Sequence, residues 1–309
     1  MVHTEKVSVI VPFYNGGDTI KKTLEGIFAQ SYKNLEVVLV SDGSPDPVAP
    51  YLIPFTDESR LVVIEQENGG VAAARNTGIK AATGDFIAFC DQDDIWHSNK
   101  LSEQMPFFEQ SEVGLVYTGT EAINTKGHSE LIIPAHEGQC FFALCKKNFI
   151  TCCTVVVRKS LIENIGYFNA ERALQGVDDR FVWMQLARLC DFAVVKKPLA
   201  TYVIHGGNYS LNNRKMLTAD VYCIKTLSAL PDLTAEEAEA LDDALTRVYI
   251  HYANNFLYRD EVSDAGRCYL KAWTRNKLSL SWLVIGVLLY LAPVGLVKQL
   301  KRLRKSVIS

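Results

Sequence analysis

The chain has 309 residues, of which 48% are apolar and 22% charged, with a formal net charge of -3. That balance supports a sizeable core and excludes global disorder, a collagen or coiled-coil rod, and a generally basic nucleic-acid binder. Only one stretch, 278–297, is long and apolar enough to matter for a membrane, so a polytopic membrane protein is excluded too.

Residues 7–11 are a short β-branched run, ended by Pro12 and by a turn at Asn15-Gly16-Gly17. Asp18 then caps a helix reaching about residue 31. Residues 35–40 form a second apolar strand, closed by Ser41-Asp42-Gly43-Ser44, and residues 61–65 a third. Residues 70–82 are small and Ala-rich, which suits a helix packed close against a sheet. Residues 86–90 form a fourth strand, closed by Asp91-Gln92-Asp93-Asp94. Buried apolar strands separated by helices predict an α/β fold, a mostly parallel sheet with helices on both faces. In such sheets a ligand lies beyond the carboxyl ends of the strands, and three of those ends carry polar clusters: 12–15, 41–44 and 91–94. Further on, 113–117, 154–157, 192–195 and 201–204 read as strands and 178–189 as a helix. From about 215 the pattern is helical. Thr234 followed by Glu237 is a capping box opening a helix to about 258, and 262–273 fits another. The expected division is 1–212, 213–276 and 277–309.

The cysteines are Cys90, Cys140, Cys145, Cys152, Cys153, Cys190, Cys223 and Cys268. None forms a CxxC pair and no His stands at finger spacing, so no zinc site is expected. Several sit in apolar runs (FIAFC, CCTVVV, LARLC), where a reduced thiol packs as a small core residue. The opening MVHTEKVSVIVPFYN does not read as a signal peptide, because its apolar run is short and Glu5 stands just before it. The expected setting is reduced and cytosolic.

Three carboxylates at the mouth of a buried strand repel one another unless a cation neutralises them. Asp91, Asp93 and Asp94 therefore suit Mg2+ or Mn2+ bridging a diphosphate. The alternative is an acidic loop in which Asp93 or Asp94 caps the next helix. Asp42 can accept the ring N–H of a pyrimidine base, or it can simply form an Asx-turn. Pro12-Phe13-Tyr14-Asn15 offers an aromatic ring and an amide, or a turn. The segment 68–78 brings a helix N-terminus and Arg75 toward the same edge, for anion binding or as an internal salt-bridge partner of the Asp cluster. Asp178 and Asp179 open a helical run, as caps or with one of them a general base that takes a proton from an acceptor hydroxyl. His205-Gly206-Gly207-Asn208 follows a strand. His205 is either structural or part of a loop closing over the site, meeting the metal or phosphate.

The blocks VSVIVPFYN, VVLVSDGS, NGGVAAARNTGIKAATGDFIAFCDQDDIW, GVDDRFVWMQLAR and YVIHGGNYS, in this order over about 5–210, resemble the inverting glycosyltransferases of family 2, with the GT-A fold. The resemblance implies a nucleotide-sugar donor, most often a UDP-sugar, and Mn2+ or Mg2+. It puts Pro12, Tyr14, Asn15 and Asp42 around the nucleotide, with Asp91 facing the ribose and sugar. It makes Asp93 the metal ligand, next to which the loop of His205 is the second candidate, and Asp179 the catalytic base of a single displacement that turns an α-linked donor into a β-linked product. Two departures stand out. Ser41 replaces the first Asp of the usual Asp-Asp-Gly-Ser block, and Asp178 replaces the usual Glu, one methylene longer. The Gln-x-x-Arg-Trp signature of processive synthases is absent, which implies transfer of one sugar, in cell-surface glycan synthesis.

Residues 278–297 carry no charge, and as a straight helix would span about 30 Å. Arg267, Lys271, Arg275 and Lys277 precede them; Lys298, Lys301, Arg302, Arg304 and Lys305 follow. Two basic flanks both prefer the cytoplasmic side, and Pro293 and Gly295 break a helix. The expectation is a monotopic or interfacial attachment at the cytoplasmic face of a membrane, with the tail on anionic head groups and a glycan or lipid-linked glycan as acceptor. A single crossing and a buried helix are the alternatives. Two other functional classes compete. Haloacid-dehalogenase phosphatases also open with a strand and DxD, but Ile95 stands where they carry Thr or Val, and a nucleotidyltransferase would need a Gly-rich, Lys-containing phosphate loop. A non-catalytic glycan or nucleotide-sugar binder on the same fold is the other.

Overall fold

The structure, a computed structural model, describes residues 5–275 and 280–291. The chain divides into two compact units, with the division between Asn208 and Tyr209.

The first unit runs β1 (Val7–Phe13), α1 (Gly17–Phe28), β2 (Leu35–Asp42), β3 (Leu61–Gln66), α2 (Val71–Ala81), β4 (Phe86–Phe89), β5 (Ile95–Trp96), α3 (Lys100–Gln104), β6 (Val113–Asn124), β7 (Ser129–Ile132), α4 (Phe141–Lys146), β8 (Val156–Arg158), α5 (Lys159–Asn164), α6 (Asp178–Leu186) and β9 (Asp191–Ile204). The sheet order is β3-β2-β1-β4-β8-β6-β9-β5, with β7 paired to β6. The expected parallel sheet is its first half: β1 pairs in parallel with β2 and β4, and β2 with β3. The second half is mixed. β8 is antiparallel to both β4 and β6, and β9 is parallel to β6, so β1, β2, β4, β6 and β9 all end at one edge.

Every residue of β1 and β2 is buried, as two-sided strands require. On one face Val7, Val9, Val11 and Phe13 pack with Ile20, Leu24 and Ile27 of α1. On the other, Ile10 meets α2 so closely that a Cβ on Gly78 would lie 2.6 Å from Ile10 Cγ2. This is why 70–82 carries small residues. α1 begins at Gly17, with Gly16 as its N-cap residue, so the cap stands two positions ahead of the expected Asp18.

The runs 192–195 and 201–204, expected as two strands, are one strand, β9. Thr118 pairs with Val195, Gly119 with Pro198 and Thr120 with Ala200, so β9 bulges at its Lys196-Lys197-Pro198 break. A proline without an N–H is tolerated at such a bulge. All eight cysteines are free, and all but Cys190 are buried.

The second unit holds α7 (Asn213–Leu227), α8 (Ala235–Tyr258), α9 (Val262–Arg275) and α10 (Leu280–Leu291). The capping box at α8 forms in both directions: Glu237 N–H donates to Thr234 Oγ1 at 3.1 Å, and Thr234 N–H to Glu237 Oε2 at 2.8 Å. α10 lies tight on α9, where a Cβ on Gly266 would lie 2.6 Å from the Tyr290 nitrogen. A stripe of Leu280, Val284, Leu288 and Leu291 stays exposed, from 54% to 72%. α10 is about 18 Å long at 1.5 Å per residue, and no helix among the described residues is long and apolar enough to cross a membrane. The rest of the expected 278–297 segment, with Pro293, Gly295 and the basic tail, lies outside the described residues.

Candidate active site

The loop after β4 is a tight turn, with Asp94 N–H donating to Asp91 O at 3.1 Å. Thr23 of α1 pins it from beneath, its Oγ1 donating to the carbonyls of Gln92 and Asp94, both at 2.9 Å. Asp91 and Asp93 stay partly exposed, at 34% and 18% of their side chains. Asp94 turns inward, 1% exposed, and burial followed by the charges of Asp91 and Asp93 pushes its carboxyl well up. The helix-capping alternative does not hold, because α3 starts only at Lys100, with Asn99 as its N-cap residue.

β9 delivers His205 to this loop from 112 residues away, with Nε2 2.7 Å from Asp93 Oδ2. His205 is held by its own turn. Its N–H donates to Asn208 Oδ1 at 2.5 Å, and Nδ1 accepts from Gly207 N–H at 3.2 Å. An accepting Nδ1 leaves the proton on Nε2, so the neutral ring donates to Asp93. Burial and then Asp91 push the Asp93 carboxyl up, and His205 opposes them. Among the described residues no group of three His, Cys, Asp or Glu side chains stands ready to hold a metal. Asp93 and His205 alone would offer a divalent cation one carboxylate and one imidazole, a set that Mn2+ or Mg2+ would accept only with waters and phosphate oxygens in the remaining positions.

Arg75 of α2 is 4% exposed and lies between two elements. Nη2 donates to Asp91 Oδ1 at 2.7 Å and Nη1 to Asp178 Oδ2 at 2.6 Å. Of the two readings left open for Arg75, these contacts describe the internal salt bridge, because both terminal nitrogens are taken by carboxylates. Asp178, at the first position of α6, is buried and also accepts from Gly176 N–H at 3.2 Å. Asp179 beside it is partly buried. Its Oδ1 accepts from Arg180 N–H at 2.6 Å. Burial, and then the charge of Asp178, raise the Asp179 carboxyl to about 7, against the pull of Arg75. A carboxylate poised there is suited to take a proton near neutral pH.

The β1 and β2 ends supply the other wall. Pro12 lies inside β1, paired with Val40, and is buried. Tyr14 is 49% exposed, and Asn15 follows at φ 51°. Gln92, between the carboxylates of the 91–94 cluster, clamps this turn. Tyr14 N–H donates to Gln92 Oε1 at 2.7 Å, and Gln92 Nε2 donates to Tyr14 O at 3.0 Å. A Cβ on Gly16 would sit 2.2 Å from the Gln92 amide carbon, so only glycine admits the clamp. Asn15 N–H donates to Ser44 Oγ at 2.9 Å.

Asp42 fits neither an open base-reading carboxylate nor an Asx-turn. Its Oδ1 accepts from Gln66 Nε2 at 2.7 Å and Gly69 N–H at 2.8 Å, and Oδ2 from Gly70 N–H at 2.8 Å. It is 3% exposed and staples the loop before α2. Gly43, at φ +61°, lets that loop approach, since a Cβ there would meet the Asn68 nitrogen at 2.6 Å. Gln66, Asn68 and Gln92 carry no signal of their own in the sequence, because the fold brings their partners in: the Asp42 side chain for Gln66, and the backbone of Asp42 and of Tyr14 for Asn68 and Gln92.

A model of glycosyl transferase family 2 matches residues 8–166. A Rickettsia felis protein described as an uncharacterized glycosyltransferase is 26% identical over 271 residues, covering 84% of this chain but only 44% of that protein's length. An Escherichia coli protein named UDP-Glc:alpha-D-GlcNAc-diphosphoundecaprenol beta-1,3-glucosyltransferase WfgD is 30% identical over 182 residues, covering 59% of this chain and 70% of its own. Among solved structures, Staphylococcus aureus TarS in complex with UDP-GlcNAc superposes with a TM-score of 0.67 at 20% identity, over 87% of this chain and 81% of that one. At that identity the likeness establishes the fold.

Proposed function

Because this chain belongs to glycosyl transferase family 2, we propose that it is an inverting glycosyltransferase moving one sugar from a nucleotide-diphosphate sugar, a UDP-sugar by preference, to an acceptor hydroxyl. The observation that carries this reading is the meeting at one sheet edge of Asp91, the Asp93–His205 pair and Asp179, whose carboxyl is raised to about 7.

The steps follow from these residues. Tyr14, Asn15 and the loop stapled by Asp42 receive the nucleotide. Asp91 faces the sugar. Asp179 takes the acceptor hydroxyl proton as the acceptor oxygen bonds to the anomeric carbon, while the bond from that carbon to the diphosphate breaks. Attack opposite the leaving group inverts the configuration. A divalent cation held by Asp93 and His205 would neutralise the charge of the departing nucleoside diphosphate.

The name of the E. coli relative motivates a lipid-linked acceptor, a sugar diphosphate on a polyprenol. The exposed Leu280, Val284, Leu288 and Leu291 of α10, with Arg267, Lys271 and Arg275 on α9, fit a peripheral attachment to an anionic cytoplasmic leaflet.

The test is a panel of nucleotide sugars, with and without Mn2+, followed by thermal stability and by donor turnover. Metal-dependent stabilisation and turnover by one UDP-sugar are expected. Binding of a nucleotide sugar with no turnover for any acceptor would favour the non-catalytic binder. Release of inorganic phosphate or pyrophosphate would favour the phosphatase or nucleotidyltransferase.

A further inference from the structure

Arg75 is set where a surface-binding arginine would not be. Its guanidinium stacks over the Phe168 ring, 5.5 Å from the centroid. The neighbouring Asn76 holds Phe168 by its backbone, donating to Phe168 O at 2.8 Å and accepting from Phe168 N–H at 2.9 Å. Phe168 in turn packs on Phe89 of β4 and Trp183 of α6, with centroids 5.3 and 6.3 Å away. α2, which carries Arg75, is seated on β1 by the Gly78–Ile10 approach. The guanidinium is therefore immobile, and its two terminal nitrogens each take a different carboxylate: Asp91 at the end of β4 and Asp178 at the start of α6, 103 residues from Arg75.

We propose that Arg75 is a positioning residue that holds the donor-facing carboxylate Asp91 and the first turn of α6, which carries Asp179, at a fixed separation. It rests on the reading of Asp91 as the donor side and Asp179 as the acceptor side. A rigid fork can bridge two carboxylates in this way, whereas the single ammonium of lysine cannot reproduce both bonds. The arrangement gives a use to the short Asp178. In this chain that carboxylate is committed to the link, which leaves Asp179 for proton transfer. It also keeps the guanidinium from phosphate: Arg75 is 4% exposed, Nη1 and Nη2 each donate to a carboxylate, and Nε is buried without a partner.

The experiment uses the full chain, with four variants for binding and turnover: Arg75→Lys, Arg75→Gln, Asp178→Asn and the double variant Arg75→Gln/Asp178→Asn. UDP affinity is measured with Mn2+, and turnover with saturating UDP-glucose and water as acceptor. Arg75→Lys is expected to bind UDP within about threefold of the wild type and to turn over at least about tenfold more slowly. The double variant is expected to be no slower than Arg75→Gln alone, because both changes cut one link. It also removes the buried charges together, so it folds even where Arg75→Gln, leaving Asp178 unpaired, does not. A fall in UDP affinity with unchanged turnover would make Arg75 a donor contact and overturn the inference, as would effects of Arg75→Gln and Asp178→Asn that simply multiply. Backbone amide exchange gives a readout independent of any substrate. Asp91→Asn is expected to speed exchange at Gly176, Arg180 and Phe181, and unchanged exchange there overturns the link. A wild-type protein that binds UDP–Mn2+ yet turns over no nucleotide sugar would sink the transferase reading alone, while the exchange result still decides the role of Arg75.

Discussion

Asp93 and His205, 112 residues apart in sequence, stand 2.7 Å from each other at the common edge of β4 and β9. With the pair proposed as the two protein donors for a divalent cation, His205→Ala is expected to raise the Mn2+ concentration needed for half-maximal turnover by about tenfold or more. Asp93→Ala should abolish the metal-dependent part of UDP binding. Chelation of the wild type should reproduce that loss, and UDP binding that is indifferent to metal in all three cases would refute the assignment.

Asp179→Asn removes the proposed base while keeping its shape. Turnover should fall by about 10²- to 10⁴-fold, with donor KM within a few-fold of the wild type. Steady-state kinetics at saturating metal check this, and wild-type turnover would refute it.

The Asp179 carboxyl, raised to about 7 by burial and then by Asp178, sets a pH dependence. A base works deprotonated, so turnover should fall as pH drops through about 7. Asp178→Asn removes the like charge that helps hold the carboxyl up, so the limb should move to lower pH. A limb that stays in place would mean that another group titrates.

Gln92 holds the Tyr14 turn through two hydrogen bonds to its backbone. Gln92→Ala loses both, worth about 1–3 kcal/mol together. Donor KM should rise about tenfold with turnover at saturation little changed. A KM equal to the wild type would show that the turn holds itself.

Far from the site, Glu36 of β2 is buried, and it accepts from Lys6 Nζ at 2.6 Å, Ser8 Oγ at 2.6 Å and Thr83 N–H at 2.7 Å. Against the penalty of burial, these donors hold its carboxyl down at about 2, below its ordinary 4.5. The ionised form therefore stabilises the fold above about pH 4.5, and that contribution fades as pH falls toward 2. Glu36→Gln should cost about 1–3 kcal/mol at pH 7. The gap in Tm from the wild type should close on acidification, as thermal melts from pH 7 to pH 3 would reveal.

The chain by itself determined what depends on near neighbours. The two-sided apolar runs of β1 and β2, the small face of α2 around Gly78 and the Thr234–Glu237 capping box follow from periodicity and from contacts within a turn. So does the placing of 12–15, 41–44 and 91–94 at strand ends, since an apolar run must stop where the chain leaves the core. Only the tertiary structure decided what those residues touch. Asp42 turned out to be a staple for the 66–70 loop, Arg75 a bridge between Asp91 and Asp178, and Gln92 a clamp on Tyr14. Each of these partners lies 16 to 103 residues away. The sheet order brings them together, and no local pattern in a single sequence encodes which strand will lie beside which. The bulge in β9 has the same origin: Lys196-Lys197-Pro198 interrupts the strand pattern locally, and pairing to β6 carries the strand across it.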